Sequence, residues 1–198
     1  MIELTHGSEP TWSPDGTKIA FARYKALKKQ VWVIDADGGN EVQLTNWGEN
    51  YKPAWSPDGA RIAFVSARRH GGPEIYAMDS DGNNQVRITH DLKHKDNPSW
   101  SPDGQWIAYD DSVRVWLSQI YVVKTDGGGR TKRLTDSLIT KKNPVWSPDG
   151  ETIAYAAWER DVSGTIDLKT TNQTHPTCLL YTSPSPRDRT RSRMPSSA

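Results

Sequence analysis

Cysteine is nearly absent: there is one in 198 residues, Cys178. The 177 residues before it hold no thiol, which excludes disulfides, thiol nucleophiles and cysteine-ligated zinc there and fits an oxidising or a reducing compartment. No apolar run approaches the roughly 20 residues of a membrane-spanning helix, so no membrane insertion is expected. Met1-Ile2-Glu3-Leu4 has neither a basic n-region nor an apolar h-region, and no signal peptide is visible. Gly-x-Ser-x-Gly, a Walker loop and a dinucleotide fingerprint are all missing. No catalytic residue, cofactor or metal is therefore expected. A dominant charge is missing too, since 25 Lys and Arg face 24 Asp and Glu.

From Cys178 the text changes character. Cys178–Asp188 resembles the in-frame translation of a transposase sequencing adapter, and Ser192–Ala198 resembles its continuation. Residues 178–198 are accordingly expected to be an artefactual, disordered tail, with the natural chain breaking off near Thr177. The tail carries four arginines against one aspartate, so residues 1–177 are left at net −2. That body is not basic enough to suggest a nucleic-acid partner.

What is abundant is one pentapeptide. Trp-Ser-Pro-Asp-Gly stands at Trp12–Gly16, Trp55–Gly59, Trp100–Gly104 and Trp146–Gly150, at spacings of 43, 45 and 46 residues. Serine, proline and glycine in that order suit a type I β-turn, with proline pre-setting φ. Ile19-Ala20-Phe21, Ile62-Ala63-Phe64, Ile107-Ala108-Tyr109 and Ile153-Ala154-Tyr155 follow the turns, so each pentapeptide opens a hairpin. Four tryptophans at equivalent positions argue for packing inside a repeated unit rather than for a ligand platform.

Four strands can be read per repeat. The first ends at the tryptophan; the second is Thr17–Arg23, Arg61–Ser66, Trp106–Asp110 or Thr152–Ala156. The third (Val31–Ile34, Ile75–Met78, Ile120–Val123) is apolar on both faces, as suits a sheet between two others. Asp37-Gly38, Asp81-Gly82 or Asp126-Gly127 turns the chain into a polar fourth strand. Units of this length with four antiparallel strands have the period of a propeller blade. The expected fold is all-β, a partial β-propeller of three full blades and two partial ones. Blades run over about 8–45, 50–89 and 96–135, and a fourth, 143–177, is incomplete after Ile166–Leu168.

The pattern Pro-x-Trp-Ser-Pro-Asp-Gly-x-x-Ile-Ala-Phe/Tyr resembles the WD40-like (PD40) repeat of the TolB propeller family, over essentially all of residues 1–170. The resemblance implies a non-catalytic, bacterial, periplasmic or secreted scaffold of the envelope Tol–Pal system that binds protein partners. Two other readings stand beside it. One is the propeller of a prolyl-oligopeptidase or dipeptidyl-peptidase type serine hydrolase, with its catalytic domain beyond Thr177. The other is a self-contained propeller in which Ile2–Thr5 supplies the last blade's outer strand. Three whole blades are too few to close a ring, which typically takes 4–8.

The loops sort by rim. Ser-Pro-Asp-Gly and Asp-Gly turns share one rim and barely vary. The other rim takes the second-to-third-strand loops (Tyr24–Gln30, Ala67–Pro73, Asp111–Ser118, Ala157–Gly164) and the inter-blade loops (Asn46–Lys52, His90–Asn97, Asp136–Asn143), which vary freely. Binding concentrates in variable loops on a rigid scaffold. The candidate partner-binding residues are Trp47, Tyr51, Arg68, Arg69, Arg114, Trp116, Lys141 and Trp158, with Lys28 and Arg160 nearby; aromatics and arginine are the usual interface anchors. Asp35-Ala36-Asp37-Gly38 and Asp79–Asn83 look like calcium loops but put glycine at position four instead of six. They read as hairpin turns. His90 and His94 have helical ligand spacing in a loop without helical pattern, which argues against zinc.

Overall fold

The computed structural model describes residues 5–91, 93–114, 117–126, 128–158 and 179–184. Every regular element among them is a strand. Blade 1 comprises β1 (Ser8–Trp12), β2 (Lys18–Lys25), β3 (Lys28–Asp35) and β4 (Val42–Gln43). Blade 2 comprises β5 (Asn50–Trp55), β6 (Arg61–Ser66), β7 (Glu74–Asp79) and β8 (Val86–Arg87). Blade 3 comprises β9 (His94–Trp100), β10 (Trp106–Arg114), β11 (Leu117–Lys124) and β12 (Thr131–Arg133). Blade 4 contains β13 (Thr140–Trp146), β14 (Thr152–Trp158) and β15 (Leu179–Pro184). Within each sheet the strands pair antiparallel with their chain neighbours. The architecture is a partial β-propeller.

The sequence motif explains why blades stack. Along the second strand, Ile62 and Phe64 face blade 1 while Ala63 and Val65 face blade 3, because side chains alternate across a strand. The small alanine leaves room for the next blade's tryptophan. Trp55 packs with Ala20, Trp100 with Ala63 and Trp146 with Ala108. The indole of Trp100 donates to the Ala54 carbonyl at 3.0 Å and that of Trp146 to Ser99 at 3.1 Å, so these two bolt their blades to the previous inner strand, while the buried Trp55 indole N–H has no hydrogen-bond partner among the described residues. Trp12, in the end sheet, is 58% exposed against 8–9% for the other three. The packing expectation thus holds for Trp55, Trp100 and Trp146 and fails for Trp12, because the contact that buries the indole is with the preceding blade and not inside its own.

The turn chemistry is repeated atom for atom. In all four copies the glycine N–H donates to the serine carbonyl at 2.9 or 2.8 Å. Serine hydroxyls donate to the turn aspartates at 2.5–2.6 Å. Each glycine sits at φ between 68° and 73°, left-handed backbone that costs glycine nothing.

Three expectations need correction. The Tyr24–Gln30 loop is strand almost throughout, closed by Ala26 and Leu27 at φ 49° and 71°. That is a two-residue primed turn without its usual Asn or Gly, which hid it. Asp111 and Ser118 are likewise strand, with the β10–β11 ladder running to Arg114↔Leu117. The tail expected to be disordered supplies β15, paired with β14 from Thr152↔Pro184 to Ala157↔Leu179. Leu-Leu-Tyr-Thr is strand-prone, and β14 offers it an edge of unpaired backbone groups. Ile2–Leu4 and Ile166–Leu168 lie outside the described residues.

Candidate functional site: the variable rim

The pairing register fixes the two rims. Asn50, at the start of β5, opposes Ser66, at the end of β6, so inter-blade loops and second-to-third-strand loops share a rim. The serine-proline turns lie at the other end of the same strands.

At the variable rim a polar clasp, unread in the sequence, joins each blade to the next. Between blades 1 and 2, Thr45 accepts the Val31 N–H at 2.9 Å and donates to Gln30 at 2.8 Å, and Asn50 donates to the same Gln30 oxygen at 3.0 Å. Between blades 3 and 4, Thr135 joins Ile120 and Gln119, and the Lys141 ammonium sits 3.5 Å from Gln119. Between blades 2 and 3 the clasp is ionic. Thr89 bonds Glu74, Arg87 meets Glu74 at 2.8 Å, and buried Lys95 pairs with Asp91 and lies 3.8 Å from Glu74 and 3.6 Å from Asp111. Neither Asp111 oxygen has a hydrogen-bond partner among the described residues. Burial pushes the Asp111 carboxyl up to about 6, against the pull of Lys95. The signal was a polar residue before each apolar third strand.

These clasps sort the sequence candidates. Lys141 is buried, spending its ammonium on Ser137, the Ile139 carbonyl at 3.2 Å and Gln119; burial lowers its pKa. Tyr51 packs half-buried against the core between blades 2 and 3, and burial raises its phenol pKa. Arg68 is half-buried, bonding Ser66 at 2.7 Å and Asn50 at 3.0 Å, with its guanidinium 4.6 Å from the Tyr76 ring centroid. Burial lowers its pKa as well. All three side chains are committed inside the protein.

Trp47 and Arg69 remain at the surface. Trp47 is 62% exposed, yet its loop is fastened on both sides. Asn50 donates to the Trp47 carbonyl at 3.0 Å, Gln30 to the Gly48 carbonyl at 2.8 Å, and Ala67 to the Glu49 carbonyl at 2.8 Å. Gly48 has φ 75°, and a Cβ there would lie 2.5 Å from Cβ of Arg68; only glycine fits the approach. Exposed Arg69 follows directly on Arg68. Arg114 and Trp158 end strands β10 and β14, and Trp116 and Arg160 lie outside the described residues.

The inner strands hold a second feature the sequence did not announce. Glu9, Lys52, Asn97 and Asn143 each precede a proline and have φ between 49° and 58°. At each, the ladder between the blade's first two strands slips by a residue, a β-bulge. They line an open axial groove of about 550 Å³ with the neighbouring prolines. Their polar groups are paired across blades: Lys52 N–H donates to Glu9 at 3.0 Å, Lys52 meets Asp96 at 2.6 Å, and Asn143 N–H donates to Asp110 at 3.1 Å. The bulges lock blades together at the axis.

Comparison with known proteins adds four matches. Residues 6–192 match the family model of the TolB beta propeller domain. Among solved structures, a putative TolB from Agrobacterium tumefaciens superposes with TM-score 0.69 at 31% identity, covering 78% of this chain and 55% of that one. TolB from Acinetobacter baumannii gives TM-score 0.67 at 28% identity, over 89% of this chain and 43% of that one. A stretch of 47 residues, 24% of the chain, is 38% identical to a putative tricorn protease homolog 2 of Streptomyces coelicolor and spans 4% of that protein. The chain thus spans about half the length of the TolB structures it matches and a small fraction of the tricorn homologue.

Proposed function

This chain belongs to the TolB β-propeller family, and on that footing we propose that it is a non-catalytic scaffold that binds a protein partner through its variable rim. In this reading it works in a periplasmic or secreted setting, as part of an envelope assembly of the Tol–Pal kind. The observation that carries it is Trp47, a large aromatic held out to solvent on a loop fastened by three hydrogen bonds and a glycine contact. A rigid exposed aromatic loses little conformational entropy on docking, the property of an interface anchor.

Site-specific photo-crosslinking tests the reading. A photoreactive residue in place of Trp47 or Arg69, in the full-length protein in its own cells, is expected to yield a discrete protein adduct. The same residue in place of Asp58 or Asp149, on the turn rim, yields none. Adducts from the turn rim alone, or from neither rim, overturn the proposal.

The stretch shared with the tricorn protease homologue favours a second reading, a propeller that serves a protease domain. A downstream Gly-x-Ser-x-Gly followed by aspartate and histidine, with peptidase activity that a nucleophile variant abolishes, replaces the scaffold reading by that one.

A further inference from the structure

The near-zero net charge conceals a separation between the rims. The turn rim presents Asp15, Asp37, Asp58, Asp81, Asp103, Asp126, Asp149 and Glu151, all exposed. Among exposed residues there, Lys18, Lys124 and Arg130 oppose them. At the variable rim the balance reverses along one continuous edge. The Trp47 loop packs on Ala67–Arg68. The loop that follows runs through exposed Arg69 and His70 to Gly72, whose Cβ position lies 3.4 Å from the Lys93 carbonyl, and Lys95 N–H donates to the Pro73 carbonyl at 3.0 Å. Lys93 and His94 are exposed in turn. One tryptophan therefore leads into a basic track that crosses two blade junctions. Two acids lie beside the track: Asp91 is paired with Lys95, and half-buried Glu49 follows Gly48 in the Trp47 loop, so the exposed charges along the edge remain Arg69 and Lys93.

We infer that this edge, from Trp47 through Arg69 and His70 to Lys93 and His94, docks an acidic polypeptide segment, with an apolar side chain seated on Trp47 and carboxylates along the track. The inference rests on the reading of the variable rim as the partner-binding surface. Complementary charge of this kind speeds encounter and excludes wrong partners. It also orients the scaffold, because the opposite rim repels the same segment.

The test is fluorescence anisotropy with fluorescein-labelled deca-glutamate on the full-length protein. Deca-lysine, a 20-nucleotide oligo-dT and phosphatidylglycerol vesicles serve as comparison probes. Deca-glutamate is expected to bind, to weaken with added salt, and to weaken about tenfold in the double variant Arg69→Glu/Lys93→Glu. Both replaced side chains are exposed, and unchanged circular dichroism and melting temperature confirm that the variant folds. The turn-rim variant Asp58→Ala leaves binding unchanged. Three results overturn the inference: no deca-glutamate binding, binding indifferent to the double reversal, or tighter binding of oligo-dT or vesicles through the same residues. If crosslinks form at Trp47 while deca-glutamate fails, the acidic class falls and the rim reading stands; if both fail, the rim reading falls with it.

Discussion

The two rims of this stack solve the same problem in opposite ways. At the turn rim, four copies of Ser-Pro-Asp-Gly make the same hydrogen bonds within a few tenths of an ångström. At the variable rim, three junctions keep one geometry, a threonine tied to the third strand and to a buried side chain, and change the chemistry each time. The clasp partner is Asn50, then Lys95, then Lys141. A turn is a local object whose hydrogen bonds close within six residues, so its letters cannot vary without unmaking it. A clasp is a tertiary object assembled from two blades, and any donor–acceptor set that fills the space serves. Fixed letters therefore mark the scaffold, and freedom of composition marks the rim proposed above to take a partner.

The largest effect expected from this contrast lies in the tryptophans. Trp100→Ala removes the knob that fills the space over Ala63 and its 3.0 Å bond to Ala54. A loss of about 3–5 kcal/mol is expected in urea denaturation, the range for a large aromatic cut from a core. A change below about 1 kcal/mol would mean that blades are not held together by their motif tryptophans.

The second effect concerns charge buried at the clasp. Asp111 is fully buried and lacks a hydrogen bond among the described residues. Its pKa, raised by burial from 3.8 to about 6, makes the native state bind the proton more tightly than the unfolded chain does. Stability from this group is therefore greatest below pH 4 and declines as pH rises to 6. Asp111→Asn is expected to stabilise by about 1–3 kcal/mol at pH 7.5 and to lose that advantage near pH 4. A variant less stable than the parent at pH 7.5 would show that Lys95 needs this carboxylate.

The third effect has the opposite pH sign and belongs to the turn rim. Bonds from the Ser56 hydroxyl and the Ala60 N–H hold the Asp58 carboxyl below its usual value. Its contribution is present above the unfolded pKa near 4 and is lost as pH falls through the lower folded value. Asp58→Ala should cost about 1 kcal/mol at neutral pH, the worth of a net hydrogen bond, and less in acid.

Fold and site were unequally legible for the same reason. Trp-Ser-Pro-Asp-Gly and Ile-Ala-Phe/Tyr are local signals, and they announced the repeated antiparallel hairpins of a partial propeller, which the structure shows. What escaped notice depended on contacts between blades. The clasp of Gln30, Thr45 and Asn50 joins residues up to 20 apart through a junction. The bulges at Glu9, Lys52, Asn97 and Asn143 put side chains of different chemistry into one backbone state. Exposure separated Trp47 from Tyr51 and Lys141, and no single-residue property could have done so.

The smallest stability effect is also the most diagnostic. Trp47 is 62% exposed, and the hydrogen bonds fastening its loop run through the carbonyls of Trp47, Gly48 and Glu49, none through the indole. Trp47→Ala keeps those carbonyls and the Gly48 approach to Arg68, so stability should stay within about 0.5 kcal/mol of the parent. Partner capture should nonetheless fall sharply. Trp100→Ala and Trp47→Ala then form a pair of like substitutions, one felt by the fold and the other by the partner. If Trp47→Ala destabilised the protein as Trp100→Ala does, the side chain would be packing rather than presenting. The variable rim would then be a second structural rim, and the distinction between the two ends of the blades would collapse.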